Sequence, residues 1–153
     1  MTKAGEMAPE FELTADDGRT IRLRDLRGRR VVLFFYPKDD TSGCTKEACG
    51  FRDSLEAFTS RDTVILGVSP DDEASHARFR DKHRLNFPLL VDAGHRVAEA
   101  YGAWGLKKRY GREYEGILRT TFVIGPDGRV ERVYERVRPD GHAEELLEAL
   151  PVG

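Results

Sequence analysis

Long apolar runs are missing from this sequence. No segment reaches the roughly 18 apolar residues that a membrane-spanning helix needs. The opening residues, Met1-Thr2-Lys3-Ala4-Gly5-Glu6, hold no apolar stretch like the core of a secretion signal. Both absences point to a cytoplasmic chain, where thiols start reduced and a lasting structural disulfide is not expected. Cysteine is scarce: 153 residues carry two, Cys44 and Cys49. Their C-x4-C spacing is not that of a zinc pair, and a zinc site needs four ligands. The four histidines, His76, His83, His95 and His142, show no ligand spacing and are expected at the surface. A C-x-x-C pair, a glycine-rich phosphate loop and a nucleophile elbow are all lacking. So is an excess of either charge: 25 basic and 27 acidic residues interleave to a net −2. That argues against a nucleic-acid face and against an acidic tail for a basic partner. With no repeats, low-complexity segments or linker, residues 1–153 read as one domain.

What the sequence does contain is an alternation of strand and helix patterns. Phe11-Glu12-Leu13 and Ile21-Arg22-Leu23 alternate apolar and polar around Asp17-Gly18, which predicts a hairpin over residues 10–23. Val31–Tyr36 is continuously apolar, as in a strand covered on both faces, and Pro37 ends it. Cys44, Ala48, Phe51, Leu55 and Phe58 follow steps of four and three, the stripe of a helix over Cys44–Phe58. A second buried strand is expected over Thr63–Val68, and Ser69-Pro70-Asp71 opens a helix through His83. Leu89–Val91 reads as a strand and Val97–Tyr101 as a short helix. Residues 103–116 are expected to be an irregular loop. Leu118–Ile124 and Val130–Arg136 flank the turn Gly125-Pro126-Asp127-Gly128 and should pair, ahead of a last helix from Gly141 to Leu150. The order predicts an α/β, thioredoxin-like fold with an N-terminal β-hairpin extension and an inserted helix.

The chemistry concentrates where the first buried strand gives way to a helix. Free thiols are mostly protonated at neutral pH, but unpaired amides and the dipole at a helix N-terminus favour the anion. Cys44 stands there. Thr41 can place a hydroxyl beside its sulfur, and Gly43 lets the backbone approach a small substrate. Periodicity alone fits an inert buried cysteine equally well; the Thr-Ser-Gly-Cys context favours function. Residues five apart on a helix are rotated by about 140° and lie roughly 8.6 Å apart at Cα, whereas a disulfide needs less than about 7 Å. Cys44 and Cys49 therefore bridge only if the first turns unwind, which Gly50 would ease. The neighbouring Asp39-Asp40 pair is expected to be solvated. Arg119, within the apolar strand Ile117–Ile124, is either a cation for the thiolate or an edge-strand residue reaching solvent.

These residues resemble a known family. Pro37-x-x-x-Thr41-x-x-Cys44 is similar to the active-site motif of peroxiredoxins. The longer Phe35-Tyr36-Pro37-Lys38…Gly43-Cys44-Thr45-Lys46-Glu47-Ala48-Cys49-Gly50-Phe51-Arg52-Asp53 resembles the Q-type, or bacterioferritin comigratory protein, subfamily. The likeness extends through Leu66-Gly67-Val68-Ser69, Phe87-Pro88-Leu89-Leu90, Tyr101-Gly102-Ala103-Trp104-Gly105 and Arg119-Thr120-Thr121-Phe122. It implies a thiol peroxidase for hydrogen peroxide and organic hydroperoxides. Cys44 would be the peroxidatic cysteine and Cys49 the resolving one. Thr41, Gly43 and Arg119 would bind and orient the peroxide, and Pro37 would shield the sulfur. The Cys44–Cys49 disulfide would be reduced by thioredoxin or a similar dithiol. The resemblance implies no metal, haem or flavin, and an intramolecular disulfide needs no dimer, so a monomer is expected. Ser42 replaces a frequent proline and Leu106 a frequent glutamate, departures that bear on the loop before Cys44 and on reductant docking. Without the resemblance, a disulfide oxidoreductase or a redox-sensing protein would use the same thiol; the missing C-x-x-C counts against the first.

Overall fold

In the computed structural model, which describes residues 1–151, the N-terminal segment forms the expected hairpin. Val152 and Gly153, the end of the expected domain, lie outside the described residues. Strands β1 (Glu12–Ala15) and β2 (Thr20–Arg22) pair antiparallel around a turn in which Gly18 takes a φ of 85°. The apolar run follows as β3 (Arg30–Phe35), then helix α1 (Ser42–Thr59), strand β4 (Thr63–Ser69), helix α2 (Glu73–His83) and strand β5 (Leu89–Val91). Helix α3 (Arg96–Tyr101) leads into β6 (Trp104–Arg109) and β7 (Arg112–Ile117). The chain closes with β8 (Thr120–Ile124), β9 (Val130–Tyr134) and helix α4 (His142–Ala149).

Seven strands form one sheet in the order β2-β1-β5-β4-β3-β8-β9. Pairing is parallel from β3 to β4 and from β4 to β5, where helices make the crossovers. Strands β8 and β9 add the antiparallel edge that their turn predicts. The sheet is apolar on both faces because β3 is buried on both. Val32, Phe34 and Tyr36 point to a layer with Cys44, Ala48 and Phe51 of α1, Phe79 of α2 and Leu146 of α4. Val31, Leu33 and Phe35 point the other way, to the hairpin and to Tyr101 of α3. Gly67 makes room for this packing: a Cβ there would sit 2.8 Å from Phe34 Cζ. Phe34 in turn stacks on Phe51 at 4.7 Å between centroids, and that contact seats α1 on the sheet.

The structure corrects three sequence expectations here. Residues 103–116 are not an irregular loop, because β6 and β7 form a two-stranded ribbon standing apart from the main sheet. Its turn, Tyr110-Gly111, has φ values of 53° and 75°, the paired positive values of a tight hairpin turn. The ribbon leaves no periodic signal in the sequence because most of it is exposed on both faces and so lacks alternation. Strand β8 begins at Thr120, so Arg119 lies in the two-residue joint Leu118-Arg119 rather than inside a strand. Helix α1 begins at Ser42 rather than Cys44. Ser42 thus occupies the first helical position, where proline would cost no hydrogen bond. Its bearing is on the first helical turn, not on a preceding loop.

Candidate active site

Cys44 sits in the first turn of α1, three residues after Thr41, the N-cap. No acidic side chain occupies that turn and no side chain caps it. The first intrahelical bond there is Thr45 N–H to the Thr41 carbonyl at 2.8 Å, so the earlier amides are left to favour an anion. The side chain of Cys44 faces inward and the residue is 1% exposed.

Arg119 reaches the sulfur from the joint before β8. Its Nη2 donates to Cys44 Sγ at 3.2 Å and its Nη1 to Glu47 Oε1 at 2.7 Å. The guanidinium therefore bridges a thiol and a carboxyl one helical turn apart on the same helix face. Of the two readings left open by the sequence, the structure selects the one in which Arg119 meets the thiol. Gly43 flanks this contact. A Cβ there would lie 3.3 Å from both Arg119 Nη2 and Pro139 Cγ.

Thr41 is exposed, and its hydroxyl donates to the Lys38 carbonyl at 2.9 Å. Pro37 is half-buried at the end of β3. Cys49 is half-buried and both thiols are free, with the helix between them intact. Beyond Cys49, Arg52 Nη1 donates to the His83 carbonyl at 2.6 Å, and Asn86 Nδ2 donates to the Arg52 carbonyl at 3.2 Å. These bonds tie the second half of α1 to the end of α2.

Several residues escaped the sequence reading. Glu47 is buried, with Oε2 lacking a partner. Burial pushes its carboxyl from 4.5 up to about 7, with Arg119 pulling it back down. Its signal was available: an acid three residues past Cys44 borders the apolar stripe, and Arg119 needed an anion. Asp39 is buried rather than solvated, whereas Asp40 is exposed and meets Lys82 Nζ at 2.7 Å and His83 Nε2 at 2.8 Å. His76 and His142 are buried, not at the surface. His142 Nε2 lies 2.8 Å from Thr121 Oγ1 and Nδ1 lies 2.9 Å from Glu145 Oε1, while burial lowers the ring's pKa.

Comparison with known proteins bears on the same residues. Residues 4–133 match the AhpC/TSA family. Peroxiredoxin Bcp of Bacillus subtilis is 50% identical over 146 residues, covering 95% of this chain and 93% of that protein. Peroxiredoxin Bcp of Escherichia coli is 41% identical over 145 residues, covering 95% and 93%. Among solved structures, a peroxiredoxin Q of Xanthomonas campestris superposes with a TM-score of 0.90 at 35% identity, covering 97% of this chain and 96% of that one. A bacterioferritin comigratory protein of the same organism, studied for alkyl peroxide reduction, has a TM-score of 0.87 at 36% identity, covering 91% and 88%. The thioredoxin-like fold expected from the sequence is the fold of these proteins.

Proposed function

The chain belongs to the AhpC/TSA family as a peroxiredoxin of the Bcp and Q kind, a thiol peroxidase with a peroxide substrate and a thiol reductant, and from that premise we propose how its own residues carry the reaction. Cys44 is the peroxidatic residue. Its thiolate attacks one oxygen of hydrogen peroxide or an organic hydroperoxide, and the O–O bond breaks. The leaving oxygen departs with a proton as water or alcohol, and Cys44 becomes a sulfenic acid. The observation that carries this reading is the 3.2 Å contact of Arg119 Nη2 with Cys44 Sγ at an uncapped helix N-terminus. The same donors that favour a thiolate are placed to stabilise charge on the leaving oxygen. Thr41 spends its hydroxyl hydrogen on Lys38, which leaves its lone pairs to accept from a peroxide O–H. Gly43 keeps the approach to Arg119 open, and Pro37 limits water at the sulfur.

Cys49 then attacks the sulfenic sulfur, a disulfide forms and water leaves. The intact helix holds the two thiols too far apart for this bond, so the start of α1 must unwind first. Thioredoxin or a similar dithiol restores both thiols. The reading takes the chain as a single domain acting as a cytoplasmic monomer.

Intact-mass measurement after one equivalent of peroxide tests the scheme. The parent loses two hydrogens, with Cys44 and Cys49 linked in the digest. The Cys49→Ser variant gains one oxygen and does not recycle with thioredoxin. Normal recycling in that variant would remove Cys49 from the mechanism.

Gly50 supplies a graded test. A Cβ there meets no atom closer than Ala143 Cβ at 3.8 Å, so alanine fits. Gly50→Ala stabilises the helix by roughly 0.5–1 kcal/mol, which lowers the opened population about 2–5-fold. Disulfide formation slows by that factor while the attack on peroxide keeps its rate. Stopped-flow kinetics separates the steps, and an unslowed disulfide step would mean that helix opening does not limit it.

A further inference from the structure

The loop between β3 and α1 is fastened by a buried polar cluster that has no part in the peroxide steps. Asp39 lies at its centre. Oδ1 accepts from the Tyr36 hydroxyl at 2.6 Å, and Oδ2 accepts from Ser75 Oγ at 2.8 Å and lies 2.7 Å from His76 Nδ1. The Asp39 backbone N–H donates to Asp71 Oδ2 at 2.8 Å, an oxygen that also takes the Ser69 hydroxyl at 2.6 Å. His76 is 0% exposed, and its Nε2 lies 2.8 Å from the Leu90 carbonyl.

The partners bear on the protonation of the ring. A carbonyl oxygen can only accept, so Nε2 carries a hydrogen. A carboxylate already accepting two hydroxyl donors accepts at Nδ1 as well, so that nitrogen carries one too. With Asp39 ionised, the ring is an imidazolium. The groups facing it agree: Asp39 and the Tyr36 hydroxyl (3.5 Å from Nδ1) from the strand end and loop, Asp71 and Ser69 from the end of β4 onward, Ser75 from α2 and the Leu90 carbonyl from β5. No lysine or arginine is among the cluster's hydrogen-bond partners. A neutral ring would leave Asp39 buried without a counter-charge. Burial pushes the ring's pKa down, but Asp39, the Leu90 carbonyl and Asp71 outweigh it and the net shift is upward from 6.5. Asp39, Asp71 and His76 also have the mutual spacing of metal ligands, within 4.8 Å. The Nδ1 proton shared with Asp39 Oδ2 fills the position that an ion would take.

We propose that His76, as a buried imidazolium paired with Asp39, is a positioning residue for Cys44: it pins the loop carrying Pro37 and Thr41 to α2, so that opening of α1 starts beyond Asp40 and the peroxide site re-forms unchanged. The inference rests on Cys44 and Cys49 as the peroxidatic and resolving residues. The exposed contacts of Asp40 to Lys82 and His83 add little to such an anchor. Because the folded-state pKa is raised, the anchor is complete below 6.5 and is lost as pH climbs through the raised value.

Nitrogen NMR of the reduced protein tests the ring directly. At about pH 7.5, where an unperturbed histidine is mostly neutral, both His76 ring N–H signals persist with imidazolium shifts. A ring already neutral there overturns the proposal, whatever any variant does. Single-turnover kinetics test the consequence. Asp39→Asn slows the attack on peroxide about tenfold or more through lost positioning, while the later disulfide step is not slowed. The double variant Asp39→Asn/His76→Gln is no slower than the worse single one, as for partners in one contact. A parental attack rate in Asp39→Asn, or additive losses in the double variant, would sink the pairing and leave the roles of the cysteines standing. Peroxidase activity surviving Cys44→Ser would sink those roles instead.

Discussion

Replacing Cys44 with serine leaves the protein folded and without peroxide turnover. Serine matches cysteine atom for atom with a smaller oxygen in place of the sulfur, so it fits the 1% exposed site, and its hydroxyl can accept from Arg119 Nη2. The chemistry does not survive the exchange. A hydroxyl stays protonated at neutral pH, whereas the helix N-terminus and Arg119 together can hold a thiolate. Loss of at least about 10⁴-fold is expected for removal of a nucleophile whose partners remain. A reductant-coupled assay and the intact mass after peroxide check it. Turnover within a factor of ten of the parent would mean that another group attacks the peroxide.

Arg119→Ala carries the second-largest effect and strikes two functions. The Cys44 sulfur loses its 3.2 Å donor, and on the proposed scheme the transition state loses a cation for the leaving oxygen. Removal of one such preorganised donor costs about 10²–10³-fold in rate. Alkylation of Cys44 by iodoacetamide slows as well, since the sulfur loses the cationic donor beside it. An unchanged alkylation rate would show that another cation governs the thiol.

The same substitution strands Glu47, and pH exposes it. The Glu47 carboxyl is raised from 4.5 to about 7 by burial, with Arg119 opposing. Between those values the folded chain keeps a proton that the unfolded chain has released. The contribution is therefore complete below about 4.5 and lost as pH rises to about 7. Without Arg119 the opposing pull disappears and the loss extends to higher pH. The variant is close to parental stability in acid and about 1–3 kcal/mol less stable in mild alkali. Denaturant unfolding at both pH values measures this, and Glu47→Gln in the Arg119→Ala background should remove the pH dependence.

Much of this site was written in local pattern. The apolar run Val31–Tyr36, the stripe from Cys44 to Phe58 and the turn Gly125–Gly128 each carry their own periodicity or turn chemistry, and they became β3, α1 and the β8–β9 hairpin. What failed shares a physical cause. The β6–β7 ribbon buries neither face well and so carries no alternation, although its Tyr110-Gly111 turn defines it fully in space. Buried polar residues are illegible for the opposite reason. Asp39 and Glu47 are of types that favour the surface and His76 and His142 of a type with no strong preference, and each is inside with a partner far away in the chain. Glu47 meets Arg119 across 72 positions and Asp39 meets His76 across 37. A one-dimensional pattern shows the residue but not the partner that makes burial tolerable. Arg119 lay between these cases: its need for an anion was legible, but its place in a joint rather than a strand was not.

The attachments of α1 to α2 bear on how fast the enzyme can reset. Asp39 holds the chain just before the helix, and Arg52 holds it just after the second cysteine, both of them to α2 or the residues following it. The stretch that opens is thus a loop of about ten residues with both ends already fixed. Closing a free loop of that length takes about 10–100 ns, and helix grows at about nanoseconds per residue. Most of the closure entropy has been removed in advance by the two anchors. Once a reductant has cleaved the disulfide, the helix rewinds far faster than any encounter with peroxide or dithiol. On the proposed scheme the rewinding of α1 is therefore not the clock of the catalytic cycle, whereas its opening governs the disulfide step.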